Sequence, residues 1–235
     1  MRRIGDPDLV AREYAATERL AARRLDRTAW LHGEDEPWRL ALEAIAEARP
    51  RRVLDAGCGN GDFAAVIAAP EVVCVDASEA AVEAARRQGL TAQVAALEHL
   101  PFGDGTFDLV TCNWVLYHLS DPQAGVVEIA RVLRQGGRFV GMYNHPDHLV
   151  ELWSLVTAPV WDEDPFGCET GPALLRRHFA RVERREAVTE AMWETKGAAQ
   201  TFLDAFAELI GPLTAPDGPY PLKATRRNCV LIAEK

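Results

Sequence analysis

The chain has 235 residues, 48% of them hydrophobic and 26% charged, with a formal net charge of −9. That length and apolar share suit one folded domain with a sizeable core and exclude a disordered chain. The acidic balance argues against nucleic acid as a substrate, because phosphate binding needs a basic footprint; the short runs Arg23-Arg24, Arg51-Arg52 and Arg226-Arg227 read as solvated surface charge.

Asp6-Pro7 predicts the start of a helix through Leu9, Tyr14, Leu20 and Leu25. A second helix is predicted from Pro37 to about Ala48, where Trp38, Ala41, Leu42 and Ile45 share one face at helical spacing. The run from Val53 to Phe63, VLDAGCGNGDF, follows. It reads as a short apolar strand, an acid at its end, and a glycine-rich turn that opens a helix. Such a turn presents backbone N–H groups to a ligand and lets it approach where a Cβ would collide. The glycines are Gly57, Gly59 and Gly61, with Asp55 just before the first. A dinucleotide turn is G-x-G-x-x-G with its acid about 20 positions further on. An acid inside the turn would repel a diphosphate and suits a cofactor with a cationic end.

Glu71 to Val75, EVVCV, predicts a second buried parallel strand ending at Asp76, and Ser78 can cap a helix through Ala84 to Arg87 that stops near Gly89. The two oxygens of Asp76 could accept both hydroxyls of a ribose. Leu109 to Cys112 is the next strand, with Asn113 its exit. A helix starts at Asp121-Pro122, runs to about Arg134 and stops at Gly136-Gly137, before a strand from Arg138 to Tyr143. Asp147 to Ala158 reads as a helix. The irregular stretch from Pro159 to Gly171 holds Trp161, Asp162, Glu163, Asp164, Phe166 and Cys168, which would favour a neutral or cationic, partly apolar substrate. A helix from Ala173 to Phe179, a strand from Val182 to Val188, a helix from Gly197 to Ile210 and a last strand from Asn228 to Ala233 complete the pattern.

The five cysteines, Cys58, Cys74, Cys112, Cys168 and Cys229, form no C-x-x-C pair, so no zinc cluster or other metal site is expected. They read as buried thiols of a reducing cytoplasm. No hydrophobic run follows the initial Met-Arg-Arg and no stretch approaches about 18 apolar residues, so neither a signal peptide nor a membrane span is expected, and the location read is cytoplasmic.

The glycine turn with its internal acid resembles motif I of the class I S-adenosylmethionine-dependent methyltransferases. The run LEHLPFGDGTFDLV followed by TCNWVLYHLSDP resembles that family's L-P-F turn, its Phe-Asp pair and the polar exit of its fourth strand. The resemblance covers roughly Val53 to Tyr143 and is most similar to the small-molecule branch that includes ubiquinone and menaquinone methyltransferases. It implies an α/β fold: a Rossmann-like seven-stranded, mostly parallel sheet with its last strand antiparallel, helices on both faces and an N-terminal helical cap. One domain, 1–235, would then comprise the cap (6–49), a cofactor core (50–143), an acceptor-side insertion (144–171) and the closing helices and strands (172–235).

The resemblance also implies roles. Asp55 would lie near the ammonium of the cofactor's methionine moiety, with Ala56, Gly57, Cys58 and Gly59 against its backbone. Asp76 would hold the ribose and Ala77 border the adenine, with Leu97 and Glu98 at the adenine edge. The Asn113 carbonyl would face the ammonium, beside Trp114, and Tyr14 could touch the cofactor or substrate from the cap. Many relatives carry an acid where this chain has Ala96.

The cofactor implied is S-adenosylmethionine, released as S-adenosylhomocysteine. The acceptor would be a small molecule, neutral or cationic, methylated on O, N or C by a monomer or homodimer. Transfer would rest mainly on alignment, with His145 or His118 as a candidate base where a proton must leave. The other readings are a non-catalytic protein that binds the same cofactor, a nucleic-acid or protein methyltransferase, and an NAD-dependent oxidoreductase. The strand exit N-W-V-L and the glycine spacing argue against the last two.

Overall fold

The computed structural model describes residues 37–156, 165–207 and 211–235. The predicted first helix, with Tyr14, and the residues Trp161 to Asp164 lie outside them. Seven strands form one sheet in the order β3-β2-β1-β4-β5-β7-β6. They are β1 (Arg52–Ala56), β2 (Glu71–Asp76), β3 (Thr91–Val94), β4 (Phe107–Thr111), β5 (Leu133–Asn144), β6 (Arg181–Trp193) and β7 (Leu222–Glu234). The first five pair in parallel, and β7 runs antiparallel to both its neighbours. The helices are α1 (Pro37–Ala48), α2 (Glu79–Arg87), α3 (Pro122–Val132), α4 (Val150–Leu155), α5 (Gly171–Leu175) and α6 (Lys196–Asp204).

Alternation along the strands explains why both faces are covered. Val53, Leu109, Val140 and Met142 pack against Ala41, Ala44 and Ile45 of α1. Leu54, Val110 and Phe139, each one position away, pack with Val126 and Ile129 of α3 on the other face. The caps follow the sequence signals. The Ser78 side chain accepts the Ala81 N–H at the start of α2, and Asp121 accepts the Gln123 N–H ahead of Pro122 at the start of α3. Gly89, φ +83°, follows the end of α2.

Several expectations need correction. No α-helix follows the glycine turn; the chain makes only a 3-10 turn, Ala64–Val66, with Phe63 stacked edge-on against Trp38 at 5.1 Å. Gly136-Gly137 does not stop a helix. α3 ends at Val132, and the glycines lie inside β5, where register jumps from Phe107 opposite Leu133 to Leu109 opposite Arg138. Gly136, φ +68°, makes that bulge, and its N–H donates to the Lys235 carbonyl at 2.9 Å. The helix expected over 147–158 is only α4, because a turn from His145 to His148 comes first. β6 and β7 are each 13 residues long, well beyond the apolar runs that announced them, because each continues as a paired antiparallel ladder after its polar residues begin. The cysteines are not all thiols. Cys168 and Cys229, with Cα atoms 5.7 Å apart, form a disulfide, and Cys58, Cys74 and Cys112 are free and buried.

Candidate functional site

β1, β2 and β4 bring their carboxyl ends together, and the two predicted acids sit there. Asp55 is 2% exposed. It lies opposite Thr111 on β4, whose hydroxyl donates to Asp55 Oδ1 at 2.6 Å. Burial pushes the Asp55 carboxyl up to about 6; the nearby Asp76 charge adds to the rise, and the Thr111 hydrogen bond opposes it. Asp76 ends β2 and ties the site together. Its Oδ2 accepts the Gly59 N–H and its Oδ1 the Ser78 N–H, each at 2.9 Å. Its carboxyl is also raised by burial, against those N–H groups.

The turn between them is shaped by left-handed backbone. Gly57 and Gly59 have φ of +78° and +53°, and the N–H groups of Gly57 and Cys58 both donate to the Val75 carbonyl, at 2.8 and 3.0 Å. A Cβ on Gly57 would strike the Val115 side chain, whereas one on Gly59 would meet nothing within 4 Å. The open cradle is therefore at Gly59, and Gly57 is needed for packing as much as for approach. Ala56 and Cys58 are buried, and Ala77 is exposed at the mouth.

Leu97 is buried and Glu98 half-buried in the turn after β3. α3 clamps the stretch that follows. The Leu100 N–H donates to Glu128 Oε2 at 2.8 Å, and Arg131 donates to the carbonyls of Leu100 and Phe102 at 3.0 and 2.7 Å. Arg131 also bridges Glu128 and Asp104, and its guanidinium holds the Glu128 carboxyl below the usual range.

At the exit of β4, Asn113 Oδ1 accepts the Met142 N–H at 3.1 Å, and the Trp114 N–H donates to the Met142 carbonyl at 2.9 Å. Trp114 has φ +55°. His118 is 9% exposed in a 3-10 turn, its ring 4.3 Å from that of Tyr117. Tyr143 is fully buried, donating to the Cys112 carbonyl at 2.7 Å, and so presents nothing to a ligand. His145 stands just past β5 with both ring nitrogens engaged. Nε2 is 3.0 Å from Glu169 Oε1, and Nδ1 accepts the Asp147 N–H at 3.3 Å. Among the described residues no group of three or more His, Cys, Asp or Glu could hold a metal ion, and no helix is long and apolar enough to cross a membrane.

The structure thus brings Asp55, Gly59, Asp76, Asn113 and Trp114 to one side of the sheet and leaves Tyr14 outside the description. Sequence reasoning missed Thr111, Glu128 and Arg131. Their sequence neighbours carry no sign of the role, which only strand pairing and helix packing create.

Residues 54–141 match the family model described as "Methyltransferase domain". A demethylmenaquinone methyltransferase of Clavibacter sepedonicus is 37% identical over 116 residues, 46% of this chain and 47% of that protein. The chain spans about half the length of the curated relatives it matches. Among solved structures, the YcgJ protein of Bacillus subtilis superposes with a TM-score of 0.60 at 21% identity, over 84% of this chain and 98% of that one. An S-adenosylmethionine-dependent methyltransferase of Mesorhizobium loti gives a TM-score of 0.51 at 20% identity, over 83% and 96%. The stretch that carries the motifs is thus similar to a methyltransferase domain, and the described chain has the fold of these solved structures.

Proposed function

We propose that this chain transfers the methyl group of S-adenosylmethionine to a small-molecule acceptor. The observation that carries the reading is the pair of acids, the buried Asp55 and the half-buried Asp76, on either side of a turn whose open position is Gly59. Two carboxylates there disfavour a diphosphate and suit a cationic nucleoside. Each Asp76 oxygen accepts one backbone N–H and has a lone pair left for a ribose hydroxyl. Asp55 faces the end of the site that suits an ammonium. Leu97 and Glu98, just before the stretch that Arg131 and Glu128 fasten at Leu100, border the adenine side. When bound, the cofactor supplies an electrophilic methyl on a sulfonium whose leaving group is neutral, so no acid is needed. The chain's part is alignment, which is worth up to about 7–11 kcal/mol in such reactions.

The chain spans only about half of those relatives, so their printed substrates do not carry over. The acceptor is read as neutral or cationic. Both histidines are engaged structurally, and transfer is assigned to alignment rather than to either as a base. A screen of small metabolites with label in the cofactor methyl tests the reading, using matched cationic and anionic acceptors. Transfer to neutral or cationic members is expected. A preference for anions would defeat the acceptor class, and cofactor binding without transfer to any member would favour a non-catalytic binding protein. Alanine at His118 or His145 is expected to leave turnover within about threefold. A loss of about 100-fold with S-adenosylhomocysteine affinity intact would restore a general base.

A further inference from the structure

At the carboxyl end of β5, two side chains converge on the carboxamide of a third. Asn144 closes β5, Asn228 lies directly opposite it on β7, and Trp114 leaves β4 in the left-handed region. Trp114 Nε1 and Asn228 Nδ2 both lie on Asn144 Oδ1, at 2.9 and 2.7 Å. An indole N–H can only donate, so the Asn144 atom it meets is the carbonyl oxygen, and Nδ2 is turned away from both partners. The same logic orients Asn228. Its Nδ2 must face Asn144, which leaves its Oδ1 buried with no hydrogen-bond partner in a residue only 1% exposed.

A buried acceptor without a partner is unfavourable, and so is a tryptophan at φ +55°. Both features serve one geometry: they fix the Asn144 amide by its oxygen and direct its N–H groups outward. Asn144 is itself exposed. Its place is the end of β5, next to the exit of β4, which in turn neighbours β1 and the glycine turn. Ligands of open α/β sheets bind at such strand ends.

We propose that Asn144 orients the methyl acceptor, donating from Nδ2 to an acceptor oxygen (hydroxyl or carbonyl), and that Asn228 and Trp114 position it. The inference rests on the methyltransferase reading and narrows its substrate class to oxygen-bearing molecules. A preset donor meets such an oxygen at little entropic cost, and a molecule without one leaves the amide desolvated and unpaired.

The test is an amide NMR titration of the ¹⁵N-labelled chain saturated with S-adenosylhomocysteine, the Asn144 side-chain NH₂ pair being assigned by through-bond correlation. Phenol and cyclohexanone are the probes, and benzene is the oxygen-free control. Phenol or cyclohexanone is expected to shift the Asn144 pair and benzene to leave it in place. Asn144→Asp, the same shape without the donor, is expected to weaken phenol at least tenfold with S-adenosylhomocysteine affinity unchanged. If neither oxygen probe moves the pair, or benzene moves it equally, or Asn144→Asp binds phenol as well as the parent, the proposal is overturned. If S-adenosylhomocysteine itself fails to bind, the methyltransferase reading falls first and this inference with it.

Discussion

Asp55 is held by one hydroxyl inside a dry strand end, and that makes its charge conditional. Its carboxyl titrates near 6 in the folded chain against 3.8 for the exposed group. The folded state therefore keeps a proton that the unfolded chain has already released. Rising pH withdraws stability across that window, by about 3 kcal/mol in all at roughly 1.4 kcal/mol per unit. A ligand ammonium beside Asp55 favours the ionised form, so S-adenosylhomocysteine affinity should rise about tenfold from pH 5 to pH 7 and then level off. Calorimetric titration across that range checks it, and Asp55→Asn should flatten the profile; a flat profile in the parent would separate Asp55 from the ligand. Gly59 gives a second measurement at the same scale. A Cβ there has free space in the empty turn. Gly59→Ala should thus cost only the strain of φ +53°, about 1–2 kcal/mol, yet weaken S-adenosylhomocysteine at least tenfold if ligand lies against the turn. Unchanged affinity in a folded variant would move the ligand elsewhere.

On the proposed reading, α3 supports the adenine side, through the stretch that follows the Leu97–Glu98 turn. Arg131 forks onto two carbonyls and two carboxylates, fastening the stretch from Leu100 to Asp104 against the helix. Arg131→Ala should destabilise the chain by about 1.5–3 kcal/mol, the range for lost hydrogen bonds to a charged group, and weaken S-adenosylhomocysteine as the stretch after the Leu97–Glu98 turn loosens. Arg131→Lys should not rescue it, because an ammonium cannot span that fork. Denaturant midpoints and calorimetry read both effects; a lysine variant equal to the parent would show that only the charge matters. The clamp also marks where sequence reading ends. Asp55, Gly59, Asp76, Ser78 and Asp121 declared themselves because strand end, turn and cap are local signals. Thr111 meets Asp55 across 56 positions, Arg131 meets the Phe102 carbonyl across 29, and Asn228 meets Asn144 across 84. Register and packing bring these together, and neither leaves a local trace. The missing helix after the glycine turn and the bulge at Gly136 have the same origin, since tertiary pairing overrode what the glycines alone suggested. The disulfide was likewise invisible, because Cys168 and Cys229 are 61 residues apart and neither lies in a spacing motif.

At the scale of the molecule, the two ends of the sheet have been given different chemistry. At the amino end of β5, Arg138 bridges Glu47 and Glu234, and Arg185 bridges Glu47 and Glu183, around a cavity of about 200 Å³ in which every charge has an opposite neighbour. At the carboxyl ends of β1 and β2, Asp55 and Asp76 have no arginine or lysine among their hydrogen-bond partners in the described residues, in a chain whose net charge is already −9. That asymmetry predicts which adenosine-bearing ligand stabilises the fold. A ligand that binds only the native state at 100 times its Kd adds about 2.7 kcal/mol, which for a chain of this size raises Tm by about 5–10 °C. S-adenosylhomocysteine should produce that rise in a thermal melt at neutral pH. NAD, whose diphosphate would meet two carboxylates, should leave Tm within about 1 °C. An equal rise with NAD would mean that the acids do not face the ligand, and the reading of the glycine turn would have to be abandoned with them.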